Sequence, residues 1–228
     1  MAVLVTGGAG FTGSNIVREL AEHGHEVISL DIIPPDGMVK RYLEPWSDRV
    51  TWLTGDIADG SGREGASAYF DIDRIVHCAT YTAYGDTEAK NGRRLCDINL
   101  AGTLNMLDLA RRMEVSRFIY ISSAAVYVTG PVEGPLVEDV PLKLEDYATG
   151  SYGFYAITKL TSELLTRRYG YMYGFETASV RMAQNWGPIE RVTPYHRRVS
   201  LPNQWVGKAL RGEPIEVAPA GAGNAEGR

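Results

Sequence analysis

The sequence predicts a doubly wound α/β fold, in which a parallel sheet is covered by helices on both faces. Three observations predict this class. Short apolar runs alternate with longer helical stretches along the chain. Most of the apolar runs are nearly continuous, which is typical of parallel strands buried on both faces. Glycine is abundant, with 25 in 228 residues, and four of these lie between residues 7 and 13.

The expected elements follow the chain in alternation. Strands are predicted, in order, at Ala2–Thr6, Glu26–Leu30, Val50–Leu53, Arg74–Cys78, Phe118–Ser122 and Glu176–Arg181. Helices are predicted at Thr12–His23, Asp97–Met113, Tyr155–Tyr169 and Gln204–Leu210. The stretch Val128–Tyr152 is interrupted by glycine and proline, so we expect it to be irregular and functional.

The overall composition excludes several classes of protein. The chain is 44% hydrophobic and 22% charged, with a formal net charge of −5, so a broad basic surface for nucleic acid is not expected. The apolar runs are too short to span a membrane, and no secretory leader is apparent. The two cysteines, Cys78 and Cys96, form no framework, which favours the reducing cytoplasm.

The glycine-rich turn after the first strand predicts a dinucleotide site. Gly8, Gly10 and Gly13 match G-x-G-x-x-G, and Gly7, Gly10 and Gly13 match G-x-x-G-x-x-G. Glycines allow a tight turn and a close approach to a pyrophosphate, and the following helix presents backbone N–H groups to it. A purely structural turn is the alternative, but the strand before it and the helix after it favour the dinucleotide.

Asp31 ends the second strand, 18 residues after Gly13. An acidic side chain at about this spacing accepts from the ribose hydroxyls of NAD and repels the 2′-phosphate of NADP. The next three residues are Ile-Ile-Pro and offer no cation for that phosphate. We therefore predict that the cofactor is NAD rather than NADP.

Tyr155 and Lys159 are separated by one helical turn and lie on the same helix face. A tyrosine phenol has a pKa of about 10 in water, and a neighbouring ammonium favours its ionised form. The pair is thus a candidate proton acceptor for a substrate hydroxyl. On its own this spacing is common on helix surfaces, so the interpretation depends on the other motifs.

Taken together, these motifs resemble those of the extended short-chain dehydrogenases/reductases of the NAD-dependent epimerase/dehydratase family, whose fold is a Rossmann fold. The resemblance runs from residue 1 to residue 228. It rests on the glycine turn, Asp31, Gly55-Asp56-Ile57, His77-Cys78-Ala79, Asn99, Ser122–Tyr127, Tyr155 with Lys159, and Arg181 with Gly187-Pro188.

The resemblance implies a role for each matching residue. The catalytic set is Ser123, Tyr155 and Lys159. The implied NAD ligands are Gly7, Gly10, Phe11, Thr12, Gly13, Asp31, Asp56, Ile57, Ala79, Asn99, Tyr155 and Lys159. The implied substrate ligands are Thr80, Tyr81, Ser123 and Gln184. Asp56 is otherwise a turn-capping residue, Asn99 contacts either the cofactor or only the neighbouring strand, and His77 is expected to be a packed core histidine.

Departures from the family pattern narrow the activity. Dehydratases of this family carry an acidic pair after the catalytic hydroxyl, where this chain has Ala124 and Ala125. The resemblance therefore implies an epimerase that acts on a sugar, with a nucleotide-linked sugar expected. Gln184 stands where the family usually has an asparagine that contacts the diphosphate of the substrate, so the identity of the nucleotide-linked substrate is not determined by this motif. An NAD-dependent dehydrogenase of a sugar, uronate or other small alcohol is one alternative. A catalytically silent NAD-sensing regulator is another, but it has no need of the acid–base set.

The same resemblance predicts the domains and partners. Residues 1–181 are expected to form the NAD-binding domain, and residues 182–228 the beginning of a substrate domain that is cut short. The predicted helices Asp97–Met113 and Tyr155–Tyr169 carry more apolar residues than one buried face needs, which predicts a homodimer. Histidine, cysteine and carboxylate residues show no metal-binding spacing, so no metal is expected. The negative net charge and the short apolar runs predict neither a nucleic acid partner nor a membrane partner.

Overall fold

The computed structural model describes residues 1–59, 65–66, 71–82, 86–127, 137–149, 153–194 and 199–217. Its strands are β1 (Ala2–Thr6), β2 (Glu26–Asp31), β3 (Val50–Thr54), β4 (Ile72–His77), β5 (Arg117–Ser123) and β6 (Glu176–Met182). They form one sheet in the order β3-β2-β1-β4-β5-β6, and every pair is parallel. The predicted fold class is confirmed.

Helices cover the sheet. They are α1 (Phe11–Glu22), α2 (Gly37–Leu43), α3 (Asp86–Cys96), α4 (Gly102–Arg112), α5 (Leu144–Thr149), α6 (Gly153–Tyr173) and α7 (Leu201–Leu210). A π-helical turn, Asp97–Ala101, joins α3 to α4, and 3-10 turns occupy Glu44–Arg49 and Ala124–Tyr127. None of the helices in the described ranges is long and apolar enough to cross a membrane.

The strand order places a switch point between β1 and β4. The chain leaves β1 toward β2 on one side, and β4 lies on the other side of β1. Thr6, the last residue of β1, pairs with Leu30 on one neighbour and with His77 on the other. In open parallel sheets, ligands bind at the carboxyl ends of strands at such a point. The predicted glycine turn follows Thr6 directly.

The core lies between the sheet and helix α4. Its fully buried side chains include Leu4, Ile75, Met106, Leu107, Leu109 and Phe118. The apolar runs of the sequence therefore mark the buried strands correctly. Much of the apolar surface of the predicted helix 97–113 is covered within this chain, because Met106, Leu107, Leu109 and Ala110 are buried.

The structure differs from the predicted elements in three places. The helix predicted to start at Asp97 is preceded without a break by α3, whose sequence is too polar to show an apolar stripe; Arg93 and Asp97 pair across one turn of it at 2.8 Å. Helix α2 was missed, although Asp36 caps it by accepting from the N–H groups of Met38 and Val39 at 3.0 Å each. The predicted irregular stretch Val128–Tyr152 contains α5, and its residues 128–136 and 150–152 lie outside the described ranges.

The chain divides into two compact units, Met1–Ala183 and Gln184–Arg228. The first contains the whole sheet and helices α1 to α6. In the second, the Glu190 carboxylate receives the Ser200 N–H at 2.8 Å and the Asn203 side-chain amide at 2.7 Å. Ser200 is the residue before α7, so Glu190 caps that helix from a distance in sequence.

Candidate active site

The glycine turn requires glycine at several positions because of close backbone approaches. Gly7 has a φ of +69°, and a Cβ there would lie 2.9 Å from the Ala79 Cα. A Cβ on Gly13 would fall on the Gly7 carbonyl oxygen. The Gly10 N–H donates to that carbonyl at 3.1 Å, and Gly10 starts α1 with no side-chain cap. The amino end of α1, with Phe11 and Thr12, therefore follows a turn that is closed by backbone contacts.

Asp31 lies against this turn at the carboxyl end of β2. Its Oδ2 accepts from the Ala9 N–H at 3.0 Å, and its Oδ1 accepts from the Ile33 N–H at 3.3 Å. Burial raises the pKa of the Asp31 carboxyl, and these backbone hydrogen bonds act in the opposite direction. The structure thus brings the predicted acidic residue and the predicted glycine turn together.

Asp56 and Ile57 follow strand β3. The Asp56 Oδ1 accepts from the Ala58 N–H at 2.8 Å, so this side chain does cap a turn, as in the alternative interpretation. Ile57 is buried in the core, and a Cβ on Gly102 would come within 2.7 Å of the Ile57 Cδ1. The Ile57 side chain therefore packs on helix α4, while Asp56 stays half-buried at the sheet edge.

Asn99 fixes the chain just beyond β4. Its Oδ1 accepts from the Thr80 hydroxyl at 3.1 Å and from the Tyr81 N–H at 2.7 Å. Its Nδ2 donates to the Tyr81 carbonyl at 3.0 Å and to the Thr158 hydroxyl at 3.1 Å. These four bonds fill the capacity of an asparagine amide. The buried side chain of Asn99 thus ties Thr80 and Tyr81, two of the predicted substrate ligands, to helix α6.

His77 lies in a buried chain of hydrogen bonds. The Thr103 hydroxyl donates to the Asn99 carbonyl at 2.6 Å, so its oxygen receives the His77 Nε2–H at 3.1 Å. The Thr6 hydroxyl then donates to Nδ1 at 2.6 Å and accepts from the Ala79 N–H at 3.1 Å. Burial, with a smaller effect of the Lys159 charge, lowers the pKa of His77 to about 3. His77 is a neutral core histidine, as expected from the sequence.

Ser123, Tyr155 and Lys159 lie where β5 and α6 meet. Ser123 is the last residue of β5, and its Oγ accepts from the Ala125 N–H at 3.1 Å. This bond uses a lone pair of the oxygen and does not engage the hydroxyl proton. The Lys159 Nζ donates to the Ile121 carbonyl at 2.8 Å and lies 5.8 Å from the centre of the Tyr155 ring. The predicted catalytic residues therefore share one region of the fold.

Lys159 is almost completely buried, with 2% of its surface exposed. Its Nζ also lies 5.0 Å from the centre of the Tyr120 ring. Burial lowers the pKa of Lys159 to about 8, although the charge of Glu163 acts to raise it. Burial also raises the pKa of the Cys78 thiol to about 12. The ammonium is thus held in an apolar and aromatic setting in which its charge acts strongly on its neighbours.

Some contributors to the site were not predicted. The carboxylate of Glu88 on α3 accepts the Phe154 N–H and so caps α6 one residue before Tyr155. Thr158 holds Asn99, and Glu163 pairs with Arg181. A signal for Glu163 was present, because it lies one turn beyond Lys159 on the same face. No local signal marks Glu88, since its partner is 66 residues away in sequence.

Gln184 belongs to the second compact unit, and the first unit contains all the other predicted site residues. Both cysteines are free thiols. Among the described residues, no group of three or more histidine, cysteine, aspartate or glutamate side chains is arranged to hold a metal ion.

Comparisons with known proteins agree with this geometry. The chain is 30% identical over 225 residues to a dTDP-glucose 4,6-dehydratase of Xanthomonas campestris pv. campestris, covering 94% of this chain and 60% of that protein. It is 34% identical over 190 residues to a 3-beta-hydroxysteroid dehydrogenase of Mycolicibacterium neoaurum, covering 81% and 48%. A UDP-glucose 4-epimerase of Thermus thermophilus, solved in complex with NAD, superposes with a TM-score of 0.76 at 29% identity, covering 94% and 64%.

The chain spans about half to two thirds of the length of these relatives. The model of the NAD dependent epimerase/dehydratase family matches residues 3–226, which is nearly the whole chain. The resemblance inferred from the ordered motifs is confirmed by this match, and the chain belongs to the NAD-dependent epimerase/dehydratase family.

Proposed function

We propose that this chain carries the cofactor-binding and reacting parts of an NAD-dependent epimerase that acts on a nucleotide-linked sugar. The observation that carries the proposal is the meeting of two sets of residues at the carboxyl edge of the sheet. The glycine turn and Asp31 end β1 and β2, and Ser123 ends β5 beside Tyr155 and Lys159 on α6. A dinucleotide and an acid–base group on one edge are what hydride transfer requires.

The residues present fit NAD. The glycine turn packs backbone tightly on backbone, because a Cβ at Gly7 or Gly13 would collide with Ala79 or Gly7, and a compact turn of this kind before a helix suits a pyrophosphate. Asp31 supplies a carboxylate for ribose hydroxyls and disfavours a 2′-phosphate. Asp56 is half-buried at the expected adenine end. Lys159 would hold the nicotinamide ribose, and Ala79 and Asn99 would border the bound cofactor, with Asn99 acting through the segment that it fixes.

In the proposed mechanism this chain handles the proton. Bound NAD supplies a reversible acceptor for the hydride of the sugar carbon. Tyr155 removes the proton from the hydroxyl on that carbon and later returns it, while Ser123 donates a hydrogen bond to the same oxygen. The buried Lys159 ammonium favours the ionised phenol. An epimerase would have to hold the keto sugar in two orientations, so the reacting ring would need a wall with few polar groups, and the methyl side chains of Ala124 and Ala125 suit that need.

A nucleotide-linked substrate is supported by relatives of known structure. A UDP-glucose 4-epimerase of Bifidobacterium longum was solved with NAD+ and UDP, is 30% identical to this chain and superposes with a TM-score of 0.69. In our proposal Thr80 and Tyr81 line the cleft and Gln184 contacts the substrate. We assign residues 1–181 to cofactor binding and residues 182–228 to part of a substrate domain.

The second candidate is a dehydrogenase that releases NADH. It is favoured by one observation, the 34% identity to a 3-beta-hydroxysteroid dehydrogenase. Elimination of water is less well supported, because Ala124 and Ala125 provide no second acid and base. The intact Ser123, Tyr155 and Lys159 argue against a silent NAD-sensing regulator.

One assay separates these functions. The purified chain is given excess NAD+ and a panel of UDP- and dTDP-sugars, and both nicotinamide absorbance and sugar stereochemistry are followed. Changed stereochemistry without accumulated NADH supports the epimerase. Stoichiometric NADH with one oxidised product rejects it in favour of the dehydrogenase. NAD binding without turnover of any sugar contradicts both enzyme proposals and favours the regulator.

We further propose that the protein is a cytoplasmic homodimer in which α6 faces its partner. Exposed apolar side chains run along α6 at Phe154, Ile157 and Leu164, the last with 60% of its surface exposed. Such a stripe on a helix is typical of an interface. Light scattering should show a dimer that Leu164→Arg converts to a monomer. A monomeric wild-type chain at micromolar concentration would contradict the dimer.

A further inference from the structure

Arg181 stands out because the sequence motifs include it but the mechanism gives it no role. It lies near the carboxyl end of β6, and its guanidinium reaches three other parts of the fold. Its Nε donates to the Glu163 Oε1 at 3.0 Å, and its Nη2 donates to the Glu163 Oε2 at 2.8 Å. Its Nη1 donates to the Glu138 carbonyl at 3.0 Å, and its Cζ lies 4.7 Å from the centre of the Tyr127 ring.

The Arg181–Glu163 pair differs from a surface ion pair. The side chains are only 19% and 10% exposed, respectively. A guanidinium that bonds both oxygens of a carboxylate is fixed in direction as well as in distance. The Glu163 carboxylate strongly raises the pKa of Arg181, so the guanidinium stays charged. A buried pair of this kind contributes little net stability, but it permits only a narrow range of geometries.

The parts joined by Arg181 are those that carry the reacting groups. Glu163 lies on α6, one turn beyond Lys159. Tyr127 ends the 3-10 turn that follows Ser123 directly, and Ser123 itself accepts from the N–H of Ala125 in that turn. The hydroxyl of Tyr147 on α5 donates to the Val126 carbonyl of the same turn. Arg181 therefore connects the 3-10 turn Ala124–Tyr127, called the Ser123 turn below, with helix α6, which carries Tyr155 and Lys159.

We propose that Arg181, acting with Glu163, is a positioning residue that fixes the Ser123 turn relative to helix α6, so that the Ser123 and Tyr155 hydroxyls meet the same substrate oxygen. Neither Arg181 nor Glu163 touches the reacting atoms in this proposal. It rests on the proposed function, because it assigns Ser123 and Tyr155 to one reaction. A displacement of about 1 Å at such a pair is enough to slow turnover about 100-fold.

The experiment compares variants of Arg181 with a matched control. Arg181→Met removes the contacts with the Glu163 carboxylate, the Glu138 carbonyl and the Tyr127 ring. Arg181→Lys keeps the positive charge but cannot bond both carboxylate oxygens of Glu163 in the planar geometry of a guanidinium. The double variant Glu163→Met/Arg181→Met replaces the buried pair with apolar groups, a change that proteins often tolerate without loss of stability. The control is Arg117→Met. It breaks the ion pair of Arg117 with Glu176, which joins β5 and β6 at the end of the sheet that lies away from the site.

Three quantities are measured on each folded variant of the full chain. These are kcat and KM with UDP-glucose, the NAD dissociation constant by calorimetry, and hydrogen exchange of the Ala124–Tyr127 amides. For Arg181→Met and the double variant we expect kcat to fall about 10- to 100-fold, with KM and NAD affinity nearly unchanged and with faster exchange in that turn. Arg181→Lys should recover part of kcat, and Arg117→Met should match the wild type in all three.

Two results would overturn the proposal. One is a double variant that folds and keeps the wild-type kcat, and the other is a loss of kcat that is matched by a loss of NAD affinity, since a purely structural role predicts both to change together. A wild-type chain that binds NAD but does not turn over UDP-glucose or any sugar of the panel would count against the proposed function instead. Hydrogen exchange then decides about Arg181: unchanged exchange at Ala124–Tyr127 in Arg181→Met contradicts its role.

Discussion

The two halves of the sheet build their parts of the site in different ways. In the half formed by β1 and β2, the backbone supplies most of the contacts, and side chains are absent where a ligand is expected, as at Gly7 and Gly13. In the half formed by β4, β5 and α6, buried polar side chains hold one another, as Asn99 and Thr158 do. In the first half, an added side chain should therefore disrupt the site by steric clash. In the second half, removal of a hydrogen-bond partner or of a charge should disrupt it.

The largest expected effect tests the side-chain half. Tyr155→Phe removes only a hydroxyl, so turnover should fall by about 10²- to 10⁴-fold, the usual contribution of a proton-transferring group. NAD affinity should stay close to that of the wild type. Turnover assays and calorimetry check both values. Tyr171→Phe, at an exposed tyrosine near the other end of the same helix, is the control and should change neither.

The next effect tests the backbone half. Gly13→Ala places a methyl group on the Gly7 carbonyl, which forces the turn open and should weaken NAD binding about 100-fold. Gly37→Ala is the matched control, because a Cβ there meets no atom within 4 Å. Calorimetric titration of both variants with NAD provides the comparison. Equal affinity of Gly13→Ala and the wild type would mean that no pyrophosphate lies on this turn.

A smaller effect concerns stability and acidity. The pKa of His77 is lowered from 6.5 to about 3 in the folded chain, so below about pH 6.5 the unfolded chain binds a proton that the folded chain does not. As the pH falls from 6.5 to 3, His77 should therefore lower the free energy of unfolding by up to about 1.4 kcal/mol for each pH unit. Denaturant unfolding at several pH values measures the slope. His77→Gln should flatten it.

The smallest effect concerns the choice of cofactor. Asp31→Ala removes the carboxylate that accepts ribose hydroxyls and repels a 2′-phosphate, so the preference for NAD over NADP should narrow by about tenfold. The change should act on binding alone, because Asp31 contacts backbone near the glycine turn and not the reacting groups. Calorimetry with both cofactors measures the ratio. Asp48→Ala serves as the control at an exposed carboxylate. Binding of NADP by the wild type that is equal to or tighter than that of NAD would contradict the prediction.

The two halves also differ in how far sequence reasoning reaches. The glycine turn and Asp31 are close in sequence to the strands that place them, and their spacing alone predicted that they would meet. Tyr155 and Lys159 were found in the same way, from one helical turn. The partners of the reacting half are distant in sequence: Asn99 meets Thr158 across 59 residues, and Glu88 caps α6 across 66. Such pairings depend on the packed fold, and no local pattern indicates them.

Helix α3 shows the other limit. Its residues are mostly polar, so its helical state depends on pairs such as Arg93 with Asp97 and on its packing against α6 rather than on an apolar stripe. All six strands, by contrast, were placed to within two residues. Burial on both faces accounts for the continuous apolar runs of β1 and β2, whereas β6 is largely exposed. The sequence thus predicts best the parts that hydrophobicity determines.

The buried chain of hydrogen bonds around His77 restricts which substitutions can accumulate there during evolution. Each hydroxyl there donates in one direction and receives from the other, so the identities of Thr6, His77 and Thr103 form a single unit. Exchange of one member alone leaves a buried donor or acceptor without a partner, a cost of about 1 to 3 kcal/mol. Among relatives of this chain, we therefore expect the hydrogen-bonding groups at these three positions to be kept, or to be replaced together.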